Sequence, residues 1–372
     1  DMKIIKDSIS KYDNKHINLF IEIEEGNKFY FRNISWVGNT KYTNKELSQR
    51  LRIKKGDIYN SKLLQQNLYM SPDGNDVSSL YLDDGYLFFS AVPIETIDGD
   101  SIDIEIRIYE GKQATINKVS VVGNNKTNDH VIMREIRTKP GQLFNRSDII
   151  RTQRELAQLN YFNPEKLNVN PKPNPAEGTV DIEYVVEEKS TDQIELSGGW
   201  GGGRVIGTFG VGFNNFSVRK ILKSSAWTPL PSGDGQRLAI RAQSDGLYYQ
   251  SYSASFTEPW LGGRKPNSLS ISIYNSIQTN GEKKGSENRQ SINILGASVG
   301  LGRRLKWPDD YFTLYNGLTY QNYTLNNFSS VFSFSNGYSN CLNLTNVISR
   351  NSIDQPIYPR SGSEISLTIQ LT

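Results

Sequence analysis

The sequence predicts small α+β modules followed by an antiparallel, membrane-spanning β-barrel, of which about the first half is present. Three observations carry that expectation. The 372 residues change texture near residue 190, from Lys, Glu, Ile and Asn to Gly, Ser, Tyr and Phe. The first part repeats itself at an offset of 85: Ile34-Ser35-Trp36-Val37-Gly38-Asn39 returns as Val119-Ser120-Val121-Val122-Gly123-Asn124. The second part is a series of long runs in which apolar and polar residues alternate.

Composition bounds the alternatives. The chain is 36% hydrophobic and 22% charged, with a mean hydropathy of −0.53, and no run reaches the roughly 18 to 20 apolar residues of a membrane helix. Barrel strands average out as hydrophilic, so that class survives. A net charge of +3 without a Lys/Arg cluster gives no footprint for nucleic acid. A single cysteine, Cys341, excludes an internal disulfide and a cysteine metal site. The start, Asp1-Met2-Lys3, carries no signal peptide and reads as the interior of a longer precursor.

The repeat comes in three blocks of one register. Gly56-Asp57-Ile58-Tyr59-Asn60 maps onto Gly141-Gln142-Leu143-Phe144-Asn145, and Ile21, Ile23, Glu25, Gly26 onto Ile106, Ile108, Glu110, Gly111. A period of 85 is too long for a solenoid and suits a duplicated domain. Each copy opens with a strand that stops at Gly38-Asn39 or Gly123-Asn124, a pair suited to a turn. Thr43-Asn44-Lys45-Glu46 fits a capping box, with Leu47 and Leu51 on one helical face. After Gly56 or Gly141 a second helix starts at Asn60 or Asn145, both good N-caps, and Ile149, Leu156 and Leu159 mark its buried stripe in the second copy. Two strands close each unit: Phe88 to Ile94 and Ile102 to Ile108 in the first, with Val180 to Val186 last in the second. The order is β-α-α-β-β, helices covering one sheet face. The expected domains are 1–26, the tail of a preceding module; 27–111 and 112–189, complete modules; and 190–372, barrel.

Nine strands are expected in the barrel part: Ile194 to Gly199, Val205 to Phe213, Arg237 to Gln243, Tyr248 to Thr257, Ser268 to Ile277, Ser291 to Gly302, Tyr311 to Tyr323, Asn340 to Ile348 and Ser363 to Thr372. Ile365, Leu367, Ile369 and Leu371 alternate with Glu364, Ser366, Thr368 and Gln370. A soluble β-sandwich shares this period, but its outer face is usually charged, whereas the polar face here is mostly Ser, Thr, Asn and Gln. Runs of ten or more residues suit tilted membrane strands.

Catalytic and metal chemistry find little material. His16 precedes a strand and shows no obvious carboxylate or nucleophile in the sequence pattern, and His130 falls at a helix start. The glycine-rich segments 198–203 and 296–302 have strands on both sides, whereas a dinucleotide loop leads into a helix. Asp83-Asp84-Gly85 and Asp98-Gly99-Asp100 lack the spaced oxygens of a calcium loop.

Taken in order, the Gly-Asn turn, the second helix start and the closing Glu-Gly strand resemble the polypeptide-transport-associated (POTRA) module. Its passage into a barrel resembles the outer-membrane assembly factors of the Omp85 superfamily. Glu258-Pro259-Trp260 looks like the family motif at a strand end, and Asp354, Pro356, Pro359 and Gly362 sit at the spacing of its D-x-P-x-x-P-x-x-G hairpin. The texture resembles Bacteroidetes homologues. Departures are the missing later strands, the missing Arg-Gly-aromatic loop and an end at Gln370-Leu371-Thr372 in mid-alternation.

The resemblance implies a Gram-negative outer-membrane protein with periplasmic modules, no enzyme activity and no cofactor. Its implied partners are unfolded barrel clients, accessory lipoproteins and the bilayer. It also implies a role for the first barrel strand, Ile194, Glu195, Leu196, Ser197, Gly198, Gly199, Trp200 and Gly201. This strand forms a seam that client strands replace by β-augmentation. A bulge or bend of a tightly curved wall is the plain alternative for Gly198, Gly199, Gly201, Gly202 and Gly203, and an interfacial anchor the plain one for Trp227 and Trp260. A single-substrate exporter or autotransporter assembly factor of the same superfamily, and a soluble β-sandwich adhesion protein, remain open. The partial module at 1–26 favours the assembly factor over the exporter. Detergent-free solubility of 190–372 would favour the sandwich.

Overall fold

The computed structural model describes residues 3–11, 16–71, 74–190, 192–201, 204–227, 230–329, 332–353 and 358–372. Two units divide the chain. One comprises Asp1–Ser120, Arg137–Gln153 and Val169–Tyr184; the other comprises Val121–Ile136, Arg154–Asn168 and Val185–Thr372.

In the first unit, β1 (Lys3–Lys11) and β2 (Ile17–Glu24) form an antiparallel hairpin. A complete module follows: β3 (Tyr30–Val37), α1 (Asn44–Leu51), α2 (Ser61–Tyr69), α3 (Val77–Asp83), β4 (Ser90–Asp98) and β5 (Ser101–Tyr109). Its sheet runs β3-β5-β4, with β5 parallel to β3 and antiparallel to β4. The strict alternation of Ile102, Ile104, Ile106 and Ile108 places all four against Leu47, Leu51, Leu64, Leu68 and Tyr81 in one buried core. The Thr43–Glu46 capping box forms as the sequence predicts, and the Asn60 side chain accepts from Leu63 N at 3.0 Å.

Two expectations need correction. The order β-α-α-β-β holds in the second module, but in the first it omits α3, whose seven residues are too short for a periodic stripe. Buried Asp76 caps it, accepting from Ser79 N at 2.9 Å. And β4 starts at Ser90, not Phe88. Residues 85–89 turn, with Leu87 N on Gly85 O and Phe89 N on Tyr86 O, so that the Phe89 ring stacks on Tyr81 at 4.2 Å.

The second module contains β6 (Thr115–Val122), α4 (Asp129–Met133), α5 (Arg146–Gln158), β7 (Asn168–Asn174) and β8 (Thr179–Val185), in sheet order β6-β8-β7. Asn145 caps α5 through Asp148 N at 2.8 Å. Ile149 and Leu156 are buried, but Leu159 lies beyond the helix end and is half-exposed. Thr152 lies inside instead, accepting from Arg137 N and donating to Asp148 O.

The duplication has a common physical device. Gly38 and Gly123 have φ of +93° and +97°, and each turn is followed by an Asn whose amide donates to the chain three residues on. A distant glutamate then closes the turn: Glu110 accepts from the backbone N–H of Thr40 and Lys41, Glu188 from those of Asn125, Lys126 and Thr127. Glu110 follows Asn39 by 71 positions and Glu188 follows Asn124 by 64; the difference is the length of α3.

In the second unit the nine long strands form one antiparallel sheet in chain order. They are β9 (Gln193–Gly201), β10 (Arg204–Phe216), β11 (Gln236–Ser244), β12 (Tyr249–Glu258), β13 (Asn267–Thr279), β14 (Ser291–Arg304), β15 (Phe312–Asn326), β16 (Gly337–Asn351) and β17 (Glu364–Leu371). All nine expected runs are present. Register puts Leu196, Phe209, Ile240, Ile271, Val299, Leu318, Leu342 and Leu367 on one face, all exposed. The opposite face carries Ser272 bonded to Ser298 at 2.6 Å, and Gln321 bonded to both Tyr274 and Asn343. An apolar face open to the surroundings and a hydrogen-bonded polar one is the pattern of a membrane barrel wall, the reverse of a sandwich. Among the described residues no helix is long and apolar enough to cross a membrane.

Candidate functional site

Among the described residues the first strand of the sheet, β9, has one neighbour. It pairs with β10 from Arg204↔Gly201 to Gly212↔Gln193 without a register shift, and the sheet ends there. Ile194, Leu196 and Trp200 on its apolar face are 77%, 83% and 78% exposed, against 41% for Ile271 in mid-sheet. The difference is the contact a second neighbour would supply.

Side-chain support across the β9–β10 pair is thin. Glycine occupies at least one side of the Gly201–Arg204, Gly199–Ile206, Gly198–Gly207, Glu195–Gly210 and Gln193–Gly212 pairs. Each such pair lacks the roughly 0.2 to 1 kcal/mol that a good cross-strand pair adds. Neither Gly198 nor Gly199 has a positive φ, and the regular register leaves no bulge in the strand. Nor is space the reason: a Cβ on Gly199 would meet nothing within 4 Å, and on Gly198 only Ile206 O at 4.0 Å. Gly202 and Gly203 lie outside the described residues.

Among the described residues one side-chain tie holds the strand. Glu195 Oε1 accepts from Arg241 Nη2 at 2.8 Å, the pair reaching over Gly210 from β9 to β11. A Cβ on Gly210 would lie 3.3 Å from Glu195 Cβ and Oε2. Both partners are about half exposed, so this pair sets register more than it adds stability.

The same unit contains a polar seat at the loop between β10 and β11. Asp234 is buried and accepts from Ser217 Oγ at 2.6 Å and Asn128 Nδ2 at 2.8 Å, with His130 Nε2 at 3.6 Å. Tyr161 donates to Gly235 O at 2.9 Å, and Asn215 donates to Thr127 Oγ1 at 2.8 Å. His130 therefore faces a carboxylate from the seat, not a catalytic partner.

Glu258, Pro259 and Trp260 complete this seat. Glu258 accepts from Gln236 Nε2 at 2.7 Å and from Trp260 N at 2.9 Å. The Trp260 indole N–H donates to Glu135 Oε1 at 2.6 Å, and the Arg134 guanidinium lies 5.5 Å from its ring. This corrects the interfacial-anchor reading of Trp260: its indole is partly buried against Glu135 and Arg134. Burial pushes the Glu135 carboxyl above the usual carboxylate range, opposed by the indole bond and by Arg134. Burial likewise lowers Arg134. Glu155 and Arg304 pair nearby at 3.5 Å.

Of the remaining motif residues, Asp354 and Pro356 lie outside the described residues. Pro359 is exposed coil. Gly362 has φ +100°, and a Cβ there would fall 2.2 Å from Ser352 O, so the β16–β17 turn requires glycine. Among the described residues no group of His, Cys, Asp and Glu comes together as a metal site. Glu135, Asp234, Tyr161 and Arg241 were missed by sequence reasoning. The Gly233-Asp234-Gly235 triplet was the one available signal, and it reads as an ordinary turn.

Two family descriptions match the chain: POTRA, surface antigen variable number repeat, over residues 29–111 and 114–189, and the Omp85 superfamily domain over 232–372. Outer membrane protein assembly factor BamA of Neisseria meningitidis is 26% identical over 339 residues, 88% of this chain and 38% of that protein. BamA of Nitratidesulfovibrio vulgaris is 27% identical over 255 residues, 67% and 29% of the two chains. The crystal structure of BamA from Haemophilus ducreyi lacking POTRA domains 1–3 superposes with a TM-score of 0.64 at 19% identity, covering 92% of this chain and 63% of that one. The chain spans about a third of the length of the curated relatives it matches.

Proposed function

The chain belongs to the Omp85 superfamily, POTRA modules leading into an outer-membrane barrel wall, and on that premise we propose that it serves as an outer-membrane protein assembly factor. Its modules lie on the periplasmic side of a Gram-negative outer membrane. The proposed domains are 27–111 and 112–189 for the complete modules, 1–26 for the end of another, and 190–372 for the wall. Unfolded barrel proteins are the clients, captured as added strands on module edges and templated at β9. Accessory lipoproteins assemble with it, and the work is non-covalent: client strands exchange hydrogen bonds while their apolar face passes into lipid.

One observation carries this reading. The strand at the end of the sheet, β9, pairs regularly with β10 yet, among the described residues, is held by little besides backbone, and its Gly198 and Gly199 answer to no bulge, positive φ or shortage of room. A strand meant only to close a wall would gain from side chains at these positions.

The modules differ as capture edges. Sheet order makes β4 and β7 edges of their modules. In β7, Pro171 and Pro173 lie two apart and so remove donors from the same side of the strand. Prolines survive in strands where the missing N–H faces away from the ladder, so β7 is closed to an added strand. The edge of β4 has one proline, Pro93, and presents Val92 and Ile97, both more than half exposed. Of these two edges β4 is the open one, and capture is proposed there.

The test is the folding of a reporter barrel client into liposomes carrying the protein. Two variants, Glu195→Pro and Leu196→Pro, remove successive donors of β9, which point to opposite sides of the strand. One of them strips the outward edge and slows client insertion to the uncatalysed rate. Unaltered insertion by both variants, in protein that is itself embedded, would refute templating at β9. No acceleration even by the wild type would favour the single-substrate exporter.

A further inference from the structure

Between β10 and β11 lies a loop whose tip the seat does not use. Its base is clamped: Ser217 N bonds to Pro231 O, Gly233 N to Asn215 O, and Lys220 Nζ to Ser232 O, each within 2.9 Å. The Trp227 indole N–H donates to Ile221 O at 2.9 Å, tying the tip to itself. That leaves Val218, Ile221, Leu222 and Trp227 exposed, Leu222 at 96%.

The surrounding charge is of one sign. Arg219, Lys220 and Lys223 lie between Val218 and Trp227, and no acidic residue occurs until Asp234, which is buried in the seat. Among the described residues no carboxylate pairs with Arg219 or Lys223. The tip also follows the apolar face of the sheet closely along the chain. Phe213 is paired with Leu238 on that face, the ladder becomes irregular after it, and Val218 follows five positions later, within about 18 Å of chain.

We propose that the Val218–Trp227 tip inserts into the periplasm-facing phospholipid surface beside the barrel. Leu222, Ile221 and Trp227 enter the headgroup region, and Arg219 and Lys223 pair with phospholipid phosphates. Aromatic and aliphatic side chains flanked by cations are the composition that settles at that depth, and an anionic surface attracts the two free cations. A protein partner would need an acidic, apolar socket; lipid is favoured because the tip leaves the sheet a few residues past its apolar face and its charges are all cations. The inference rests on the membrane-wall reading of the sheet.

The experiment places an environment-sensitive fluorophore at Leu222→Cys in a Cys341→Ser background. The protein is reconstituted in phosphatidylethanolamine–phosphatidylglycerol vesicles, with the same label at Leu318→Cys in the apolar face and at Thr96→Cys on β4 as references. The expected result at 222 is blue-shifted emission, quenched more by a nitroxide near the headgroup than by one deep in the acyl chain. At 318 the order reverses, and at 96 neither quenches. The Arg219→Glu/Lys223→Glu variant loses the quenching at 222, as does the wild type in high salt. Behaviour at 222 like that at 96, while 318 is quenched, overturns the proposal and leaves the wall reading intact. A blue shift at 222 without lipid quenching means protein covers the tip and overturns it too. Loss of quenching at 318 instead sinks the wall reading itself.

Discussion

Replacing Gly38 by alanine separates backbone strain from steric exclusion. Gly38 and Gly56 share nearly the same conformation, φ +93° and +90°, and lie in one module. An L-residue held there costs about 1 to 3 kcal/mol, less roughly 0.4 to 1 kcal/mol returned by a stiffer unfolded chain. For Gly56 nothing else is added, since a Cβ meets nothing within 4 Å. For Gly38 the Cβ would fall 2.3 Å from the carbonyl oxygen of Ile108, in the central strand β5. Backbone must move, at a further cost of about 1 to 3 kcal/mol. Gly38→Ala should therefore lose about 2 to 5 kcal/mol, and Gly56→Ala at least 1 kcal/mol less. The second module repeats the contrast: a Cβ on Gly123 would lie 1.9 Å from Val186 O, while one on Gly141 meets nothing. Urea denaturation of residues 27–189, with m-values compared to confirm an unchanged transition, reads both differences. Losses for Gly38→Ala and Gly56→Ala that agree within about 0.5 kcal/mol, the usual scatter of independent sites, would refute the close-approach argument.

Other outcomes follow from the same geometry. Burial raises the Asp76 carboxyl, but hydrogen bonds from Ser78, Ser79 and Ser71 and the Arg146 charge more than offset this and hold it below the usual range. Its stabilising contribution is therefore present above the ordinary Asp value of about 4 and lost as pH falls below it; that acid-side loss should vanish in Asp76→Asn. Arg146→Ala leaves the buried carboxylate without its cation at 3.2 Å and should cost about 3 kcal/mol, the low end for a broken buried pair because Arg146 is partly exposed. Glu135 has the opposite sign: raised by burial, it favours the folded seat most below the ordinary Glu value of about 4.3 and less as pH rises through its folded value. Glu135→Gln, which keeps an acceptor for the Trp260 indole, should flatten that dependence of the urea midpoint. Leu156→Ala should cost about 2 to 5 kcal/mol; a loss well under 1 kcal/mol would mean the α5 face is misassigned. Gly199→Val, for which there is room, should fold normally, strengthen β9–β10 pairing and slow client insertion in the liposome assay.

The legible parts were those with a short physical period. The nine wall strands could be read because side chains two apart share a face. The starts of α1, α2 and α5 could be read because Thr43, Asn60 and Asn145 satisfy donors within three residues. The seven-residue α3 escaped although Asp76 caps it through Ser79 N in the same way, because seven residues are too short to show a periodic apolar stripe. Trp260 was misread for another reason. Beside a strand end an indole suits the membrane interface, and nothing local reveals that Glu135, 125 positions earlier, accepts its proton.

By itself, then, the sequence determined the two modules, the nine strands, which face of each strand is apolar, and the glycines of β9. These are consequences of backbone geometry and of neighbours a few residues apart. Tertiary structure alone decided that Glu195 reaches Arg241 over Gly210, that Asp234 is buried beneath Asn128 and Ser217, and that the Leu222 tip is left outside the seat. Those pairings depend on register and on which elements exclude water together. Burial makes an unpaired polar group expensive enough to select one long-range arrangement among many that local pattern allows.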